Sequence, residues 1–188
     1  MTPTDLMMLM PLAVLGAVLG LDVVSFPQAM VSRPIVASTL AGALIGQPGR
    51  GLVMGVALEF FALESMPFGA SRYPEWGSAS VVGGVLFAQT TDGVAGAMTV
   101  AALAALLTAS IGGSSMVVLR RANAIWARKQ QARITRGSGS AVVALQLVGM
   151  TADLLRGGGL TLGALIIFVP LHEAVVAALT ISPVLSRA

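Results

Sequence analysis

The stretch Leu52-Val53-Met54-Gly55-Val56-Ala57-Leu58-Glu59-Phe60-Phe61-Ala62-Leu63-Glu64-Ser65-Met66-Pro67-Phe68-Gly69-Ala70-Ser71 sets a carboxylate inside an apolar run and then breaks that run at Pro67 and Gly69. Upstream, residues 35–45 form a second short apolar segment, joined to 52–63 through Gln47-Pro48-Gly49-Arg50. At about 1.5 Å of rise per helical residue, each piece reaches only roughly 16–18 Å. The hydrocarbon core of a bilayer is about 30 Å thick, so neither piece spans it alone. Irregular backbone at membrane depth survives only where protein or a polar cavity surrounds it. Short, Gly/Pro-interrupted apolar segments bearing carboxylates point to the substrate site of a transporter.

Composition agrees with that setting. Of the 188 residues 56% are hydrophobic and 10% charged, with a mean hydropathy of +0.89. Soluble domains carry about 25% charged residues. The sequence therefore predicts an all-α integral membrane protein, a polytopic helical bundle with short re-entrant or broken helices in its N-terminal half. One membrane domain is expected over 1–188. It divides into N-terminal spans and re-entrant segments at 1–119, a basic cytoplasmic loop at 120–140 and C-terminal spans at 141–188. The absence of cysteine excludes disulfides, iron–sulfur ligation and thiol chemistry. With a single histidine, neither a zinc nor a haem site is expected, and no cofactor is implied.

The net charge of +3 argues for topology rather than nucleic-acid binding, because the cations gather in one place. Arg120, Arg121, Arg128, Lys129, Arg133 and Arg136 follow one another with no acidic residue between them. Such a cluster marks the cytoplasmic side, and it makes residues 94–119 an inward-running span. Ile125 and Trp126 would let part of the stretch lie in the interface as an amphipathic helix. At the N-terminus, residues 6–24 are too long an apolar run for a signal peptide and no basic residue precedes them, so a retained first helix is expected. Residues 141–155 read as a short segment, Gly157-Gly158-Gly159 as a helix break, and 159–179 as a last span interrupted by Pro170. The pairs Gly16/Gly20, Gly42/Gly46, Gly51/Gly55 and Gly159/Gly163 share the spacing that lets helix backbones approach closely in lipid.

A charge at mid-bilayer costs about 2.5–3.5 kcal/mol on insertion scales, so each carboxylate in an apolar run needs a role. Glu59 is the strongest case, being flanked by apolar residues on both sides; the alternative is a pair with Arg33 or Arg72 that holds the fold. Glu64 lies roughly 140° away around a helix and shares no face with Glu59 unless the helix breaks. Asp22 reads equally as a helix-end residue or a site residue, Asp92 as part of a solvated turn, and Asp153 as a charge within a short apolar segment. His172, alone near a helix end, carries no catalytic expectation. Phosphate-cradling loops, zinc-protease pairs and nucleophile elbows are missing from the sequence.

Taken together, Gly20-Leu21-Asp22, Ser32-Arg33-Pro34-Ile35-Val36-Ala37-Ser38-Thr39-Leu40-Ala41-Gly42, Leu58-Glu59 through Gly69-Ala70-Ser71, and Pro74-Glu75 resemble the IIC permease subunit of the mannose/fructose/sorbose family of sugar phosphotransferase systems. The likeness is clear over residues 16–88 and only positional over 94–170. It implies a multi-pass protein of the bacterial inner membrane that forms part of the path for a hexose-type sugar and carries no phosphorylation site of its own. It also implies a IID-like membrane partner and cytosolic IIA and IIB phosphocarriers, with the lipid bilayer around them and no nucleic acid. The expected sugar-contacting residues are Glu59, Pro67, Gly69, Ser71, Glu75 and Asp22, with Phe60, Phe61, Phe68, Tyr73 and Trp76 available to pack on a pyranose face. Departures from the family pattern are Glu64 where glycine is usual, Gln47 for an acidic residue and Glu75 for aspartate. Family members also continue for several helices beyond position 188, which leaves a non-transporting regulatory or assembly subunit as the alternative.

Overall fold

The computed structural model describes residues 3–22, 25–64, 72–90 and 96–181. Within them the chain forms six helices and no strand: α1 (Pro3–Asp22), α2 (Pro34–Leu44), α3 (Pro48–Glu64), α4 (Trp76–Ala88), α5 (Ala97–Thr135) and α6 (Gly139–Ile181). The all-helical expectation therefore holds, and α5 and α6 are each long and apolar enough to cross a bilayer.

Local sequence explains where the N-terminal helices begin and end. Pro34 and Pro48 each open a helix, where the missing N–H costs nothing and the fixed φ is already helical. Gly46, at φ +79°, ends α2, and Gln47 N–H donates back to the Gly42 carbonyl at 2.7 Å. The two helices can then fold tightly on each other because glycines face the contact. A Cβ on Gly42 would sit 2.9 Å from the Gly51 Cα, and one on Gly51 would run into the Ser38 carbonyl oxygen. A Cβ on Gly55 would lie 2.8 Å from the Ile35 Cα.

Helix α4 is the centre of the assembly. Every residue from Gly77 to Leu86 is buried, as is Ala88, and α1, α2, α3, α5 and α6 all pack against it. Gly, Ser, Ala, Val and Leu occupy all of its faces, the pattern of a helix with no solvent side. Its neighbours come close at glycines: Gly83 faces Ala105, Leu58 and Met54, and Gly84 faces Ser38. Ser38 Oγ donates to the Ser80 carbonyl at 2.7 Å, pinning α2 to α4. At the other end Arg50 reaches from α3 to the C-terminus of α4. Its Nε donates to the Phe87 carbonyl at 3.2 Å, its Nη2 to Thr90 Oγ1 at 2.6 Å, and its guanidinium lies 4.7 Å from the Phe87 ring centroid.

Two expectations about the C-terminal half are corrected. Residues 120–135, expected as a loop, continue α5 as helix, and the turn is confined to 136–138. The reason is composition: residues 116–136 contain no Gly or Pro, and Arg, Lys, Gln and Ala are strong helix formers. Gly137, at φ +79°, ends the helix, with Gly137 N–H bonded to the Ile134 carbonyl and Ser138 N–H to that of Arg133. Likewise Gly157-Gly158-Gly159 does not break α6, and Pro170 lies inside it, although the ring removes one helical hydrogen bond. Gly157 and Gly158 are held helical by α1, since a Cβ on Gly157 would lie 3.0 Å from the Gly16 carbonyl oxygen and 3.3 Å from the Ala17 Cα. Gly16 itself has no room for a Cβ because Thr161 occupies that space. The pair Gly159/Gly163, in contrast, faces open space.

This difference gives a direct test. Gly51→Ala is expected to lower the melting temperature in mild detergent, because the new methyl has no space, with overpacking typically costing about 1–3 kcal/mol. Gly159→Ala should leave it unchanged or raise it, alanine being the better helix former by up to about 1 kcal/mol. Equal effects of the two would show that α2 and α3 do not pack as described.

Candidate functional site

A helix start buried in protein leaves N–H groups without helical partners, and an acid is the favoured group to meet them. Glu75 fills that role at the start of α4. The residue is fully buried, its carboxylate accepts from Ser78 N–H at 3.1 and 3.3 Å, and its own N–H donates to the Ala109 carbonyl of α5 at 3.0 Å. The approach of this segment to α5 depends on two glycines. A Cβ on Gly112 would lie 2.7 Å from the Glu75 Cβ, and one on Gly113 would collide with the Tyr73 carbonyl oxygen. Gly112-Gly113 thus makes a seat for residues 73–75 without ending α5.

A buried carboxylate in apolar surroundings calls for a cation. Arg156 of α6 is the cation that stands near it. Arg156 Nε donates to Asp153 Oδ1 at 2.8 Å and Nη1 to Ser115 Oγ at 3.3 Å. Its Nη2 is buried and makes no hydrogen bond among the described residues. That nitrogen and Glu75 Oε1 converge on the same point of α1. A Cβ on Gly20 would lie 3.4 Å from the first and 3.8 Å from the second. Ser78 Oγ donates to the Gly157 carbonyl at 3.3 Å, closing the cluster between α4 and α6. Four helices therefore meet around Glu75, Arg156 and Asp153.

The other residues expected in the site fall elsewhere. Glu59 pairs with Arg33 and accepts from Ile35 N–H at 3.2 Å, so its carboxylate caps α2 from α3. That is the holding arrangement the sequence left open for it. Asp22 is 2% exposed at the end of α1, where Oδ1 accepts from Ala29 N–H at 2.7 Å and Oδ2 from Ser32 N–H at 3.1 Å. It organises the chain that leads into Arg33 and α2. Pro67, Gly69 and Ser71 lie outside the described residues, as does Asp92. Glu64 is exposed at the end of α3. His172 is buried with Nε2 3.1 Å from the Ala97 carbonyl oxygen, tying α6 to the start of α5. Among the described residues no group of three potential metal-ligating side chains occurs.

Sequence reasoning missed Arg156. The signal was there: one cation stands in an apolar stretch three residues after Asp153, the spacing of neighbours on one helix face. Reading the following glycines as a break hid it, because a broken helix would not have carried the pair into the bundle.

Comparison with known proteins gives one family. The model of the sorbose-specific IIC component of the phosphotransferase system matches residues 6–184. Among curated proteins, the fructose permease IIC component of Bacillus subtilis (strain 168) is 24% identical over 145 residues, covering 77% of this chain and 52% of that protein. The sorbose-specific EIIC component of Lacticaseibacillus casei is 34% identical over 80 residues, covering 40% of this chain and 29% of that protein. The chain thus spans about half the length of the first relative and less of the second.

The cluster predicts a hierarchy of stability effects. Arg156→Leu leaves two carboxylates facing each other and should destabilise the protein by about 3–5 kcal/mol, the usual cost of breaking a buried pair. Arg156→Lys, which keeps the charge, should recover part of the loss. Thermal melting of the purified chain reads both, and an unchanged Arg156→Leu melting temperature would remove the cluster from the fold's supports.

Proposed function

The chain belongs to the family of sorbose-specific IIC components of the phosphotransferase system, and we propose that it is a permease subunit forming part of a sugar-translocation path. The observation that carries this reading is the family match over residues 6–184. The architecture supports it. Helices α2, α3 and α4, of 11, 17 and 13 residues, reach only about 16–26 Å, which suits re-entrant or broken segments packed inside a multi-pass bundle. Large apolar side chains face outward on several helices, among them Met8, Phe60, Leu107, Val118 and Ile167, each more than half exposed. Such a surface belongs against lipid or a membrane partner.

The substrate is a hexose-type sugar, and the buried Glu75 cluster with Arg156 and Asp153 is the described part of its site. Arg156 Nη2 adds, near Glu75, a buried donor with no hydrogen bond among the described residues. No phosphorylated residue is needed on this chain, because phosphate comes from cytosolic IIA and IIB proteins and a IID-like membrane subunit completes the wall of the path. The setting is the bacterial inner membrane.

Membranes carrying the chain with its partners should take up and phosphorylate a hexose in the presence of phosphoenolpyruvate. Glu75→Gln, which keeps a cap acceptor but removes the charge, should lower uptake at least tenfold at equal chain level, about 1.4 kcal/mol. Equal uptake in membranes lacking this chain would favour the regulatory or assembly role instead.

Orientation can be read separately. Because the natural sequence has no cysteine, Ser138→Cys introduces a single labelling site in the turn between α5 and α6. It should resist impermeant maleimide in intact cells and react in opened ones, as the cationic run before it requires; labelling in intact cells would reverse the assignment.

A further inference from the structure

Helices α5 and α6 meet along two facing stripes, Met116-Leu119-Arg120-Asn123 on one and Gln146-Gly149-Met150-Asp153 on the other. Each follows the i, i+3, i+4, i+7 spacing that in a packed helix pair carries apolar residues closing on each other. Here four of the eight positions are polar and a fifth is glycine. The stripes do not close. They line a half-open cavity of about 430 Å³, with Gln146 at its exposed side and Ser25 contributed by the segment after α1. A Cβ on Gly149 would stand 3.6 Å from Asn123 Nδ2, an ordinary contact, so Gly149 lies directly across the space from that amide.

We propose that this cavity is a monosaccharide-binding site on the inward side of the path, with Asn123, Gln146 and Asp153 as its polar contacts. The inference rests on the permease reading for its substrate class, but the site contains none of the residues that the sequence motifs indicate. The chemistry of the walls selects the ligand. Asp153 and the two amide oxygens accept hydrogen bonds, whereas the two amide nitrogens and Arg120 donate them. A hydroxyl does both. A simple anion would meet the Asp153 carboxylate, and a simple cation would meet Arg120, so a neutral polyol fits where singly charged ligands do not. Met116, Leu119, Leu145 and Met150 offer an apolar wall for the C–H face of a ring. Small-molecule sites run from about 300 to 1,000 Å³, and a space near the lower bound suits one sugar ring rather than an oligosaccharide.

Two of the polar groups, Asp153 and Arg120, are held in place. The Asp153 side chain is 4% exposed and is oriented by Arg156, which engages Oδ1 and leaves Oδ2 without a hydrogen bond among the described residues. Arg120 donates to the Tyr73 hydroxyl and lies 4.9 Å from that ring's centroid, which fixes the guanidinium at the cavity edge. Through Asp153 and Arg156 the cavity shares a wall with the Glu75 cluster. It also lies where the apolar part of α5 gives way to the cationic run, the end that faces the phosphate-carrying partners.

Isothermal titration of the purified full-length chain with D-fructose, L-sorbose and D-mannose tests the assignment. At least one sugar should bind the natural protein, and Asn123→Ala and Gln146→Ala should each weaken it at least tenfold. Gly149→Leu, which fills the space, should abolish binding while the melting temperature shows the chain still folded. Absence of binding by all three sugars, or binding unaffected by the three substitutions, overturns the proposal. Uptake by the assembled system judges the permease reading separately. Intact uptake with unaffected variants leaves the permease and removes the cavity; variant-sensitive binding without uptake does the reverse.

Discussion

The rest of the structure depends on burying α4 from every side. A helix with no solvent face gains apolar contact on its flanks, but its first turn still presents N–H groups that need an acceptor. Water cannot serve there, so Glu75 does. The carboxylate brought in for this purpose then calls for a cation, and Arg156 is held for it by Asp153 and Ser115. One packing decision thereby produces a charged cluster in the middle of an apolar bundle. The cluster also costs free energy in desolvation, which a well-packed apolar replacement would avoid. Its retention in a chain with so few charges fits a functional demand on the same groups.

Close approach is the second consequence. Helices come close to α4 where small residues stand at the contacts: Gly77 against Leu19 of α1, Gly83 and Gly84 against α2, α3 and α5, and Gly112 and Gly113 of α5 against the 73–75 segment that leads into α4, while Gly157 of α6 packs on Ala17 of α1. The glycines at 42, 51 and 55 do the same one layer out, letting α2 and α3 approach as a tight pair. A bundle made this way has little slack. Glu75 is tied to α5 through the 73–75 segment on Gly112 and Gly113, and α4 to α6 through the Ser78 hydroxyl.

Much of this was legible in the sequence. The short helices followed from run lengths and proline positions, although the turn expected at Gln47–Arg50 lies at residues 45–47 because Pro48 already opens α3, and a IIC-type likeness followed from the Ser32–Gly42 and Leu58–Glu59 motifs. What resisted reading was decided by tertiary contacts. Gly157-Gly158-Gly159 looks like a break in one dimension, and only the backbone of α1 lying on it makes it helix. Glu59 looks like a lone buried acid until α2 and α3 fold together and bring Arg33 to it from 26 positions away. Arg156 was obscured by the glycines beside it. The facing polar stripes on α5 and α6 could be found only once the basic stretch was known to be helical, because a loop has no face.

That last point changes what the cationic run does. In a flexible loop its charges would act only through their number, setting orientation and attracting anions. In a helix they stand at fixed angles, and they are not equivalent. Arg120 turns inward onto Tyr73, next to the segment that carries Glu75, whereas Arg121, Arg128, Lys129 and Arg133 are exposed. At 39 residues α5 is about 58 Å long, nearly twice the hydrocarbon thickness, so under the proposed permease reading its cationic end would extend past the apolar layer. That end is braced by the first turns of α6, which fold back along it after Gly137. The helical cationic surface is joined through Arg120 and Tyr73 to the segment that carries the buried acid. The connection runs through Tyr73, Pro74 and Glu75 and one stacked guanidinium, so the cationic helix and the buried acid share a single short segment.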